Sequence, residues 1–166
     1  SDNLDMSTKA TAEELNEAIM DEFGVKYSKD GRKLLKVPRE PSGAYSVKEG
    51  TKIICDEAFS YCDSLSEIVI PSSVTSIGDS AFEYCKSLKS LVIPDGVTSI
   101  GEFAFSSCES LADIVLPDSV TSIGDGVFGG CSSLESLIIP DSVTSIGDRA
   151  FNGCSSLKYI SIPKSV

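Results

Sequence analysis

The chain has 166 residues with 14 basic and 25 acidic side chains, and its net charge is −11 at pH 7. This acidity argues against nucleic acid and anionic membranes as partners, because both carry negative charge. Histidine is absent, which removes the commonest general base and the commonest metal ligand. No run of about 18 apolar residues is present that would span a bilayer.

Residues 12–23 are predicted to form an amphipathic helix. Thr11 and Glu14 make a T-x-x-E capping box at its start, and Gly24 is expected to end it. The apolar residues of this segment recur at helical spacing: Leu15, Ile19 and Phe23.

Residues 25–37 are predicted to form a β-hairpin around the turn sequence Lys29-Asp30-Gly31. Basic side chains dominate this segment: Lys26, Lys29, Arg32, Lys33, Lys36 and Arg39. They indicate either a site for heparin-like glycans and other anionic polymers or a solvated face. The solvated face is favoured, since residues 46–166 carry 16 acidic and 7 basic residues that such a face would partly neutralise.

Residues 46–166 consist of a repeat with a period of 23 residues. Proline recurs at this interval at positions 71, 94, 117, 140 and 163, and cysteine recurs at 62, 85, 108, 131 and 154. Four full copies start at the first four of these cysteines. A degenerate copy precedes them, and a partial copy ends at Val166.

Each repeat is predicted to form one coil of a leucine-rich-repeat β-solenoid, because this period is too short for a helix pair or a propeller blade. Leu65 to Ile70 reads L-x-x-I-x-I, which is typical of a short parallel strand, and Pro71 ends that strand. Gly78 turns the chain, and Asp79 is expected to cap the helical turn that follows. Stacked coils would then bury one continuous core.

A solenoid exposes its core at both ends. We therefore expect residues 1–45 to form an N-terminal cap made of the helix, the hairpin and a linker containing Pro38, Pro41 and Gly43. No equivalent cap follows the partial copy, so either the array continues or something else covers this end. An uncovered sheet edge there would allow self-association through the C-terminal coil.

A known family carries the same repeat unit as this chain. From Ile70 to Leu88 the unit reads IPSSVTSIGDSAFEYCKSL, with near copies from Ile93, Leu116 and Ile139. It closely resembles the BspA-like (Treponema pallidum type) class of leucine-rich repeat over about residues 45–166. This resemblance implies an extracellular or cell-surface protein without catalytic residues, of anaerobic bacteria or mucosal parasites, that adheres to host proteins or other cells.

Five of the six cysteines occupy one repeat position. Cys55 is the sixth and stands where the other copies carry glycine. A soft-metal site or a redox switch would use such a ladder, but no C-x-x-C pair and no histidine is present. The favoured interpretation is therefore six free thiols, with the five equivalent ones buried in the core and Cys55 on a different side of the coil.

One acidic residue recurs in each coil, at positions 56, 79, 102, 125 and 148. Stacked carboxylates would suit Ca²⁺, but capping of the following turn explains the pattern without a metal. No metal site is therefore expected. A further column, at Asp95, Asp118 and Asp141, is interpreted as a turn position.

The face of the main sheet is the strongest candidate for a binding site. Side chains between the inward-facing ones are expected to point to solvent on the concave side. An aliphatic column there would make an exposed apolar stripe, with the strand propensity of β-branched residues as the competing interpretation. The candidate binding residues are Glu67, Val69, Lys89, Val92, Asp113, Val115, Glu135, Ile138, Lys158 and Tyr159.

No catalytic pattern is present, neither G-x-S-x-G nor a phosphate-binding glycine loop, and no cofactor is expected. The first hypothesis is a non-catalytic binding module whose sheet face recognises a protein or glycan of a host matrix or of other cells. The alternative is a structural spacer or oligomerisation scaffold without its own ligand. Neither nucleic-acid binding nor membrane insertion is expected.

Overall fold

The structure is a computed structural model that describes residues 5–166. Within these residues the chain forms one helix, α1 (Ala12–Asn16), and fourteen short strands. The first four strands are β1 (Ile19–Met20), β2 (Lys26–Tyr27), β3 (Lys33–Lys36) and β4 (Gly43–Ser46). The others are β5 (Ile53–Ile54), β6 (Leu65–Val69), β7 (Ser76–Ile77), β8 (Ser90–Val92), β9 (Ser99–Ile100), β10 (Asp113–Val115), β11 (Ser122–Ile123), β12 (Ser136–Ile138), β13 (Ser145–Ile146) and β14 (Tyr159–Ser161).

The repeats stack as coils that supply two sets of parallel strands. The main sheet contains β4, β6, β8 and β10 in that order and is followed by the pair β12–β14. The second sheet contains β3, β5, β7 and β9 and is followed by the pair β11–β13. Residues pair with their equivalents 23 positions later, such as Ile54 with Ile77 and Ile77 with Ile100. This in-register stacking confirms the predicted leucine-rich-repeat β-solenoid.

An aromatic column runs through the core along the direction of stacking. Neighbouring rings are 4.9–5.9 Å apart between centroids and nearly parallel. Offset-stacked rings add favourable interactions to the area that they bury. The column consists of Phe59, Phe82, Phe105, Phe128 and Phe151. Since each ring is covered mainly by the coils on either side, no coil could bury its own phenylalanine alone.

The helix is shorter than predicted. The capping box forms as expected, because Glu14 N donates to Thr11 Oγ1 at 3.1 Å and Thr11 N donates to Glu14 Oε1 at 3.0 Å. However, the helix ends at Asn16, so the prediction of helix over 12–23 is wrong for its second half. Within residues 5–166 no helix is long and apolar enough to cross a membrane.

A tight turn replaces the second half of the predicted helix. Strand β1 pairs antiparallel with β2, and the turn between them is held by Asp21, whose Oδ1 accepts hydrogen bonds from Phe23 N at 2.9 Å and Val25 N at 3.0 Å. Such side-chain bonds to the backbone stabilise a turn in place of a helix. Ile19 and Phe23 are consequently about half exposed instead of lying on a packed helix face.

The predicted hairpin is present as β2 and β3, which pair antiparallel. Strand β3 also pairs parallel with β5, and β4 pairs parallel with β6. The N-terminal segment therefore shares backbone hydrogen bonds with the first coil. Strand β4 (Gly43–Ser46) lies across the boundary expected at residue 45, and the division into 1–45 and 46–166 stays a prediction.

Both sheets are interrupted at one step of the array. Among residues 5–166, β9 does not pair with β11, and β10 does not pair with β12. Gly101 N donates to Ile77 O at 2.9 Å, whereas the equivalent bond of Gly124 is not formed within the described residues. The turns remain bonded across this step, with Phe105 N donating to Val127 O at 3.0 Å. The step is therefore held by fewer backbone hydrogen bonds than its neighbours.

Candidate binding surfaces

An aliphatic column lies exposed on the main sheet, as the sequence predicts. The four side chains are 48–68% exposed: Val69, Val92, Val115 and Ile138. Strand alternation causes this exposure, because the residue before each of them points inward and is buried. In-register pairing, such as Val92 with Val115, aligns the column.

The other six predicted binding residues are also exposed at this sheet, and they are Glu67, Lys89, Asp113, Glu135, Lys158 and Tyr159. They bring both signs of charge beside the aliphatic column. Lys158 Nζ lies 3.7 Å from Glu135 Oε1, and this exposed ion pair contributes little to stability. The charged residues therefore remain available to a partner.

Two clefts open on the main sheet beside the aliphatic column. The first, of about 300 Å³, lies between β6 and β8, where the only paired residues are Glu67 and Ser90. The second, of about 310 Å³, lies between the unpaired strands β10 and β12. Val69 and Val92 line the first cleft, while the equivalent aliphatic residues of β10 and β12 line the second. Each cleft offers an apolar recess to a side chain of a partner.

The acidic column bonds to the backbone of the neighbouring coil. Asp56 Oδ1 accepts a hydrogen bond from Asp79 N at 2.8 Å, and Asp79 Oδ1 accepts one from Glu102 N at 2.9 Å. Asp125 Oδ1 accepts one from Asp148 N at 2.8 Å. The expectation that each carboxylate caps the turn of its own coil is therefore wrong, because in-register stacking brings the N–H of the next coil to it.

The turn after each acidic residue is not helical. Ser80, for example, has a φ of 55°, which is incompatible with continuing a right-handed helix. The longer side chain of Glu102 forms no hydrogen bond to Asp125 N within the described residues, at the step where both sheets are interrupted. No group of three or more His, Cys, Asp or Glu residues among 5–166 is arranged to hold a metal ion.

The repeated cysteines are structural donors. In four coils the thiol donates to the phenylalanine carbonyl of the preceding coil at 3.1 Å, for example from Cys85 Sγ to Phe59 O. The predicted burial is confirmed for Cys62, Cys85, Cys108 and Cys131, while Cys154 in the last coil is half-buried.

All six thiols are free in the structure. Cys55 lies in a separate cluster with Leu35 and Ile53, which confirms that it occupies a different side of the coil. Burial raises the pKa of Cys55 to about 12 and that of Cys62 to about 11. Because the thiolate is the reactive form, these thiols are poor nucleophiles and poor metal ligands at neutral pH.

Lys33 does not belong to the solvated basic face that the sequence predicts. Its side chain is fully buried, and its Nζ lies 3.0 Å from Asp5 Oδ2 and 3.1 Å from Glu14 Oε2. It also donates to Lys9 O at 3.1 Å. Burial lowers the pKa of this ammonium, but the hydrogen bonds to both carboxylates outweigh burial and raise the pKa overall.

Other members of the basic segment are also engaged. Arg32 Nε pairs with Asp30 Oδ2 at 2.9 Å, and Lys36 Nζ donates to Glu57 O at 2.9 Å. The prediction of a solvated face is therefore wrong for the buried Lys33 and holds only in part for the half-buried Arg32, whereas Lys36 is exposed. The spacing of residues within a single strand cannot show which basic side chain the N-terminal segment covers.

Parallel in-register coils with one aliphatic column and one aromatic column define a leucine-rich-repeat solenoid. The chain belongs to the family of BspA type leucine-rich repeat proteins, whose repeat matches residues 52–166 in six copies. This match confirms the resemblance seen in the sequence. Leucine-rich-repeat proteins are generally protein-binding, and their fold class is non-enzymatic.

Solved structures share the fold. A leucine-rich repeat protein from Eubacterium ventriosum is 28% identical, with a TM-score of 0.82 over 89% of this chain and 40% of its own. The leucine-rich repeat protein of T. pallidum is 31% identical, with a TM-score of 0.75 over 93% of this chain and 72% of its own.

The pneumococcal vaccine antigen PcpA is 28% identical, with a TM-score of 0.61 over 91% of this chain and 32% of its own. The chain spans less than half the length of the first two solved structures that it matches, from Eubacterium ventriosum and Bacteroides ovatus. No curated protein matches this chain.

Proposed function

We propose that the chain is a non-catalytic binding module that captures a partner protein on its main-sheet face. The exposed aliphatic column carries this proposal. Soluble proteins rarely expose contiguous apolar patches of more than a few hundred Å², and patches of that size mark interaction sites. Four strands in line give a stripe roughly 14 Å long, and the two clefts beside it accept apolar side chains. These features favour a protein over a glycan as the partner.

We further propose that this capture serves adhesion outside the cell. A vaccine antigen of pneumococcus is among the proteins with the same fold. The burial of the repeated thiols also suits an oxidising environment, since burial raises their pKa values and slows their oxidation.

The test introduces charge into the aliphatic column. The double variant Val92→Lys/Val115→Lys is compared with Ile19→Lys/Met20→Lys, which adds the same charge to exposed apolar residues of β1. Both are passed over a panel of immobilised matrix proteins, and binding is followed by surface plasmon resonance. The proposal predicts that the sheet-face variant binds at least tenfold more weakly than the wild type, whereas the β1 variant binds as the wild type does.

Two results would contradict the proposal. Unchanged binding by the sheet-face variant would exclude the column as the contact surface. Absence of wild-type binding to every matrix protein would refute the adhesive role and favour a spacer.

Self-association is the second candidate function. Ile162 and Val166 of the last coil are about half exposed, and Leu157 and Ile160 are only partly buried. Sedimentation velocity over a hundredfold concentration range would show a concentration-dependent dimer if this end pairs with a second copy. A single monomeric species throughout would exclude it.

A further inference from the structure

A second aromatic column lies on the outside of the solenoid, at the turns. Tyr61 and Tyr84 occupy equivalent positions in neighbouring coils, and their rings stack with centroids 4.6 Å apart and 11° between planes. Both residues have a left-handed backbone, with φ of 63° and 61°, so both rings leave the coil at the same point of the turn. Tyr61 remains 41% exposed, and neither ring belongs to the core.

A guanidinium group extends this stack at one end. Arg39 Cζ lies 4.9 Å from the centroid of the Tyr61 ring. Because Tyr84 already covers one face of Tyr61, the guanidinium covers the other. The order along the column is therefore Arg39, Tyr61, Tyr84. A planar cation over a tyrosine face is attracted by the ring quadrupole, and arginine is well suited to this contact.

The stack stops at Tyr84 because the next coils carry small residues at this position. Ser107 follows Tyr84 by one coil, and Gly130 and Gly153 follow in turn. A serine side chain is too small to cover a tyrosine ring. Within the described residues, the Tyr84 ring has no aromatic or cationic partner besides Tyr61. The side of the ring directed towards Ser107 therefore carries no stacked group, and Tyr84 itself is partly exposed.

We propose that this unstacked face of Tyr84 receives the guanidinium of an arginine in a basic segment of a partner protein. The chain itself places arginine on the opposite end of the same stack. The charges beside Tyr84 are mixed, because Glu83 precedes it, the exposed Lys86 follows it by two residues and Glu109 is exposed in the coil of Ser107. The repeat region as a whole is acidic, with 16 acidic against 7 basic residues in 46–166. That field attracts basic segments. The site lies on the turns and does not depend on binding at the main sheet.

The probe is an acetylated and amidated peptide, Arg-Gly-Arg-Gly, compared with the peptide in which citrulline replaces arginine. Citrulline keeps the shape of the side chain and removes its charge. Ring resonances of tyrosine are followed by NMR on the full chain. The arginine peptide should shift the Tyr84 ring signals and bind at least fivefold more tightly than the citrulline peptide. Equal binding of the two peptides, or no shift of Tyr84, would overturn the proposal.

A substitution in the chain itself can occupy the proposed arginine site on Tyr84. Ser107→Arg places a guanidinium one coil from Tyr84 at a left-handed position, and Arg149 shows that arginine accepts such a backbone, with a φ of 58°. This variant should lose peptide binding at least fivefold, whereas Ser155→Arg, which adds the same charge to the last coil, should retain it. An equal loss of peptide binding in both variants would show that added positive charge alone weakens binding, and it would overturn the proposal. Equal shifts with spermidine would show a site for any cation and overturn the assignment to arginine.

Discussion

Replacing Gly101 with alanine should destabilise the solenoid, while the same replacement at Gly124 should not. A Cβ at Gly101 would lie 2.4 Å from both Asp79 N and Asp79 Oδ1. At Gly124 the nearest atom is Glu102 Cγ at 3.5 Å, which is an ordinary contact. Neither glycine has a left-handed φ, so close approach between coils is the only difference that matters.

The expected loss of stability follows from the displacement of Asp79 that a Cβ at position 101 requires. The backbone at Asp79 cannot retreat without opening its coil, and overpacking of this kind costs about 1–3 kcal/mol. Moving Asp79 Oδ1 also breaks its 2.9 Å hydrogen bond from Glu102 N, and a bond to a charged acceptor contributes about 1.5–3 kcal/mol. Gly101→Ala should therefore lower the free energy of unfolding by about 2.5–6 kcal/mol. Gly124→Ala should raise it by about 0.4–1 kcal/mol, because alanine restricts the unfolded chain.

Urea unfolding at equilibrium, followed by circular dichroism, measures both variants against the wild type. The midpoints should move in opposite directions. Equal destabilisation by both alanines would refute the reasoning, since it would show that the acidic column and the glycines do not set the spacing of the coils.

Four further predictions concern the acidic column, the buried lysine, the carboxyl of Asp5 and the thiols. Glu102→Asp should form the hydrogen bond to Asp125 N that the wild type lacks and stabilise the protein by about 1.5–3 kcal/mol; slower amide exchange at Asp125 checks it, and unchanged exchange contradicts it. Lys33→Met should release the N-terminal segment, so trypsin should cleave after Lys9 faster than in the wild type; equal cleavage rates would show that the ion pairs do not hold it. Asp5 has a pKa lowered to about 2, first by the hydrogen bond from Ser7 N and then by Lys33. The stability it provides is therefore present above about pH 4 and should be lost as the pH falls towards 2 in urea titrations of the wild type. The five buried cysteines should react with a thiol reagent only after unfolding, whereas the half-buried Cys154 should also react in the folded protein. An intact mass two daltons below the reduced value would reveal a disulfide.

The coil could be predicted from the sequence because each of its positions is repeated. Pro71 and its equivalents mark the strand ends, and the alternation of Ile68 and Val69 separates the buried side from the exposed one. The aliphatic column on the main sheet therefore followed from the period alone.

The N-terminal segment occurs only once in the sequence, so no repeated position could test the prediction of a helix there. Leu15, Ile19 and Phe23 have helical spacing, but the hydrogen bonds of Asp21 to the backbone make a turn there. The ion pairs of Lys33 join residues far apart in the chain, and no local pattern encodes them.

The acidic column shows a different limit of sequence reasoning. Asp79 does bond to a backbone N–H, but the prediction that it caps the turn of its own coil is wrong, because the hydrogen bond that it accepts comes from Glu102 N of the next coil. The sequence of one repeat shows a carboxylate near backbone N–H groups, but it does not show which coil supplies the N–H. The donor can be identified only once the coils are stacked. The sequence does not predict the stack of Tyr61 and Tyr84, because it occupies only two coils and no repeated position marks it.

Footprinting of the complex with hydroxyl radicals tests the central claim most directly. The wild-type chain is oxidised alone and with the matrix protein that it binds, and side-chain modification is read by mass spectrometry. Binding on the main-sheet face predicts that Val69, Val92, Val115 and Ile138 lose most of their modification, while Ile19 and Met20 on β1 do not. Full modification of the four aliphatic residues in the complex would contradict the claim.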